Sequence, residues 1–109
     1  MNIELKMTEK DLSRLNNDLK SSEWVSNNFY GAVVIDNSIS IEFTTESVSD
    51  SNILVVEVYD IANKEFENGV EYAPNVTDDY SISANAVDLT SLETVKNSIV
   101  TMLSKAVKI

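Results

Sequence analysis

Apolar residues recur at helical spacing near both ends of this chain and at strand spacing between them, which confines it to a mixed fold. Leu12, Leu15 and Leu19 form one helical stripe, and Thr8-Glu9-Lys10-Asp11 before it places a hydroxyl and a carboxylate where the first backbone amides are unpaired. The spacing predicts a helix over about 8–21. Leu92, Val95, Ile99, Met102, Leu103 and Ala106 form a second stripe, opened by Thr90-Ser91-Leu92-Glu93, and predict a helix over about 91–107.

The pattern between them is β. Phe29 to Ile35 is almost continuously apolar, as in a strand covered on both faces. Asp36-Asn37-Ser38 is a turn cluster whose first two residues tolerate left-handed backbone. Ile39, Ile41 and Phe43 alternate with polar residues, and Ile53 to Tyr59 reads as the strongest strand. Met1 to Lys6 reads as a short extended lead-in with Ile3 and Leu5 on one side, and Trp24 and Val25 are expected to fold back onto the core. Ile61 to Glu67 is expected to form one or two helical turns stopped by Asn68-Gly69. Val70 to Ala73 should be a short extended piece, and Tyr80, Ile82 and Ala84 a last strand. Short links favour antiparallel pairing, so the expected fold is α+β. It is an antiparallel meander sheet of four to five strands, with an N-terminal and a C-terminal helix packed on one face, in a single domain over 1–109.

The inventory of side chains narrows function. The 109 residues include no cysteine and no histidine, which removes disulfides, thiolate nucleophiles, imidazole bases and the usual zinc and haem ligands. Gly31 and Gly69 are the only glycines, so no phosphate-cradling loop can be written. Carboxylates remain, at Asp78-Asp79 and Glu65-x-Glu67, but Asp60-x-x-Asn63-x-Glu65 lacks the spacing of a calcium loop. The expectation is a protein without catalytic residues, metal or cofactor. The first fifteen residues carry a charge every two or three positions and no apolar run, which predicts a cytoplasmic protein.

Charge supplies the positive signal. The net charge is −10, and from Ser21 to Val95 fourteen acids face Lys64 alone. Such a chain is ill suited to bind nucleic acid directly and well suited to meet a basic protein surface. The acids concentrate where the hydrophobic pattern is least regular, and aromatics sit among them. Asp60, Glu65, Phe66, Glu67, Glu71, Tyr72, Asp78, Asp79 and Tyr80 are therefore the candidate partner-binding residues. The competing reading leaves the acids as a solubilising surface and Tyr72 and Tyr80 as ordinary strand residues.

A small acidic domain free of histidine and cysteine resembles, as a class, the phage anti-restriction and anti-CRISPR inhibitors and the bacterial toxin-immunity proteins. That likeness implies a binding surface that presents carboxylates, as a DNA mimic does, to a nucleic-acid-binding site. The element order also resembles the small acidic chaperones of type III secretion, whose leucine-rich N-terminal helix is echoed by Leu12, Leu15 and Leu19. That likeness implies instead a dimeric assembly chaperone or structural subunit. The polar residues alternating with Ile39, Ile41 and Phe43 predict a solvated second sheet face, which favours a monomer over a homodimer.

Overall fold

The computed structural model describes residues 2–25, 28–61, 65–67, 70–72 and 83–105, with the backbone path alone at 60, 65–67, 70–72 and 105. Four strands make one antiparallel meander in chain order: β1 (Ile3–Lys6), β2 (Asn28–Ile35), β3 (Ile39–Val48) and β4 (Ser51–Asp60). Helices α1 (Glu9–Lys20) and α2 (Leu92–Lys105) pack against the sheet, giving the expected α+β architecture. A separate two-stranded ladder joins β5 (Glu65–Glu67) to β6 (Val70–Tyr72). Among the described residues, no helix is long and apolar enough to cross a membrane.

Register assigns the two faces of the sheet. Ile3 pairs with Ile35 and Leu5 with Val33 across β1 and β2. Val33 then pairs with Ile41, and Phe43 with Val56 on β4. These side chains meet Leu12 and Leu15 of α1 and Val95 and Ile99 of α2 in one core, with Val33, Ile41, Phe43, Leu15, Val95 and Ile99 sealed from solvent. Strand residues alternate between faces, so Glu4, Lys6, Ala32, Val34, Ser40, Glu42, Thr44, Glu46, Ile53, Val55, Glu57 and Tyr59 share the face opposite the helices.

Local sequence explains the turns and caps. Asp36 and Asn37 both take positive φ (52° and 53°), and the Ser38 amide donates to the Ile35 carbonyl at 3.0 Å, a turn whose twist suits a hairpin. Thr8 caps α1: Asp11 N donates to Thr8 Oγ1 at 3.1 Å, and Thr8 N donates to Asp11 Oδ2 at 3.0 Å. At the other end of α1, buried Asn52 from β4 donates Nδ2 to the carbonyls of Asp18, Ser21 and Glu23. Its Oδ1 accepts from the Val25 amide at 3.2 Å. One side chain thus ties β4 to the last turn of α1 and to the segment that leaves it.

Several expectations need correction. The box opening α2 is Ser91 with Thr94, whose side chains each accept from the other's amide, while Thr90 is held by Asp88. The lead-in at Met1 to Lys6 contains a paired edge strand, β1. Glu65–Glu67 is β and not helical. The helix stop expected at Asn68-Gly69 lies outside the described residues. Ala84 belongs to a 3-10 turn (Ala84–Ala86) instead of a last strand, and Tyr80 and Ile82 lie outside the described residues. Val25 is half-buried and tied through its backbone to Ser47 and Asn52 rather than packed in the core, while Trp24 is 67% exposed and Phe29 is 52% exposed.

Phe29 is exposed because a bulge intervenes between it and Gly31. The extra residue, Tyr30, turns inward and is buried, with its hydroxyl bonded to Asp18 and 3.1 Å from Thr45 Oγ1. The Arg14 guanidinium lies 4.4 Å above its ring, and Arg14 Nη2 donates to the Phe29 carbonyl at 2.9 Å. Phe29, opposite Thr44, is left on the outer face.

Candidate functional site

Of the nine residues singled out from sequence, six fall on described backbone. Asp60 ends β4 opposite Ile39. The β5–β6 ladder sets Glu65 opposite Tyr72 and Phe66 opposite Glu71, with Glu67 opposite Val70, so five of the candidates share one two-stranded ladder. Asp78, Asp79 and Tyr80 lie outside the described residues, as does the carboxylate pair weighed there as a metal site.

The register of the main sheet reveals a second acidic locus. Glu42 of β3 pairs directly with Glu57 of β4 on the outer face. Tyr59, two residues beyond, donates its hydroxyl to Glu57 Oε2 at 2.5 Å. Both glutamates are half-buried. Burial, and then the Glu57 charge, push the Glu42 carboxyl above its ordinary range. The hydrogen bond to Glu57, then burial, then the carboxylates of Glu57 and Glu42 push the Tyr59 phenol up to about 12. Tyr59 is therefore a fixed donor at neutral pH, holding one oxygen of Glu57 in place.

Like charges directly opposite across a ladder weaken the sheet. Among the described residues the ion pairs are Lys6–Glu4 (3.8 Å) and Arg14–Asp11 (3.6 Å), and neither reaches this pair. Glu46 lies four residues along β3 on the same face, exposed, opposite Ile53. The outer face therefore offers hydrogen-bond acceptors and negative potential to whatever lies against it.

Sequence reasoning missed Glu42, Glu46 and Glu57. Their alternation with Ile41, Phe43 and Val58 did place them on a non-core face, but residue order does not contain the cross-strand register that sets Glu42 against Glu57. That same face was expected to be evenly solvated, yet Ala32, Val34 and Ser40 on it are buried, while Phe29, Val48 and Ile53 stand out into solvent.

Comparison of the chain with models of known protein families, with curated proteins and with solved structures found no match. Geometry and charge alone carry the functional reading.

Proposed function

We propose that the protein is a non-enzymatic binding module that presents its acidic residues, those of the outer sheet face and those of the β5–β6 ladder, to a basic surface of a partner protein. The observation that carries this reading is the Glu42–Glu57 pair. Two half-buried carboxylates held face to face cost the free protein stability, and a cationic partner would offset that cost. The net charge of −10, to which Glu65, Glu67 and Glu71 contribute, adds long-range attraction for a basic partner. In its most specific form the module is a cytoplasmic inhibitor of the phage anti-defence or immunity type. It would occupy the nucleic-acid-binding groove of its target with carboxylates in place of phosphates.

The test is capture of the partner from cell extract, its identification by mass spectrometry, and competition with nucleic acid. The reading expects a partner with a basic groove from which nucleic acid displaces the protein. A captured partner that binds it unchanged in the presence of excess nucleic acid would contradict the groove-occupying form.

A second reading, an acidic assembly chaperone or structural subunit acting as a dimer, draws on the exposed apolar residues Trp24, Phe29, Val48 and Ile53. It expects a dimer by light scattering whose mass holds on dilution, where the inhibitor reading favours a monomer.

A further inference from the structure

Phe29, Val48 and Ile53 all belong to the outer face, at the end of the sheet where β3 turns into β4. Exposed apolar side chains rimmed by polar ones are a common mark of an interaction site. A cleft of about 380 Å³ is lined by Thr44, Thr45, Glu46, Val55 and Glu57, of which Thr44 pairs with Phe29 and Glu46 with Ile53. Thr44 and Val55 are cross-strand partners and form its floor. Glu46 stands beyond the floor toward the β3–β4 turn, and Glu57 stands beyond it in the other direction.

The ladder sets the spacing. Glu46 pairs with Ile53, and Glu57 lies four residues further along β4, so the two carboxylates are roughly 13 Å apart along the strand direction. An extended peptide repeats the same face every second residue, so its positions i and i+4 are also roughly 13 Å apart, with i+2 facing the floor between them. Tyr59 holds one Glu57 oxygen, and among the described residues no hydrogen bond engages the other. A second copy of this chain is a poor occupant, because a chain of net charge −10 would set these acids against its own.

We propose that this cleft docks an extended segment of a partner protein with the pattern basic-x-apolar-x-basic. The two cationic side chains meet Glu46 and Glu57, and the apolar one rests on Val55 and Thr44 beside Ile53 and Phe29. The proposal rests on the acidic-face reading and sharpens it by naming what that face recognises. Its specificity comes from the spacing of charge about an apolar centre, which a bulk acidic surface does not supply.

The test is amide chemical-shift mapping of the full-length ¹⁵N-labelled protein with three probes. These are a capped arginine-serine-leucine-serine-arginine peptide, its isomer arginine-arginine-leucine-serine-serine, and oligolysine. The spaced peptide should shift Thr44–Glu46 and Ile53–Glu57 and bind more tightly than its isomer. Glu46→Gln and Glu57→Gln should each weaken it about two- to fivefold, the worth of an exposed ion pair. Ile53→Ser should weaken it while leaving oligolysine binding unchanged. Equal binding of the two isomers, or shifts centred elsewhere, would overturn the docking site. If oligolysine still perturbs the outer face in that case, the acidic-face reading survives; if oligolysine shifts nothing, both fall.

Discussion

Glu42 shows how a single side chain reports a conflict between folding and surface chemistry. Its carboxyl is raised above the unfolded value by burial and by Glu57, so the folded protein holds that proton over a pH range in which the unfolded chain has released it. Stability from this group is therefore lost as pH rises from the ordinary glutamate range through the folded value. Glu42→Gln should raise the melting temperature at neutral pH, and the gain should shrink toward zero as pH falls below about 4. Thermal melts of both proteins across that range check it; a gain independent of pH would show that the charge is not its source. Gly31 is the opposite kind of residue, chosen by geometry. Its φ is +132°, and a Cβ there would sit 2.6 Å from the Lys6 carbonyl oxygen and 2.8 Å from Met7 Cβ. Gly31→Ala should cost at least about 1–3 kcal/mol, read from the denaturant midpoint, because the backbone strain and the contact with β1 act together.

At the scale of elements, the helices were legible because their signal is local. The stripes Leu12/Leu15 and Val95/Ile99 face the core as their spacing requires, and Thr8 with Asp11 caps α1 as its composition suggests. Val95 and Ile99 are sealed, whereas Leu103 is half-buried near the end of α2 and Thr101 is exposed. Ile99→Ala should cost ~2–5 kcal/mol and Thr101→Ala less than ~0.5 kcal/mol in equilibrium unfolding. Comparable losses at both would mean that the buried face of α2 is wrongly assigned. Strands were legible from alternation, and the Asp36-Asn37 turn from residues that accept positive φ. The bulge at Tyr30 was not, because one extra residue leaves an apolar run looking unbroken while it exchanges which of Phe29 and Tyr30 is buried. The β5–β6 ladder was hidden for a related reason. Three-residue strands are too short for alternation to distinguish from a helical turn, and only the pairing of Glu65 with Tyr72 shows the difference.

For the whole molecule, charge was legible in the composition, but its arrangement was not. Counting acids drew attention to 60–80, where they crowd along the chain; the sheet adds Glu42 and Glu57, distant in sequence but paired across β3 and β4, with Glu46 further along the same face. On the proposed reading, their common face is what would make a binding surface out of an acidic composition. The central claim is that this face, and not the net charge as such, engages a basic partner. The most direct measurement is the affinity of the captured partner for the wild-type protein and for Glu42→Lys/Glu57→Lys, each across a salt series. A control variant carries the same charge change at Glu9 and Asp50, which lie on α1 and in the β3–β4 turn, off the outer face. The account predicts that wild-type and control bind alike and weaken steeply with salt, since exposed charges are screened within ~8–10 Å at moderate ionic strength. It predicts that the Glu42/Glu57 variant keeps its fold by circular dichroism and loses binding. Equal losses in both variants, or affinity indifferent to salt and to either pair, would contradict it.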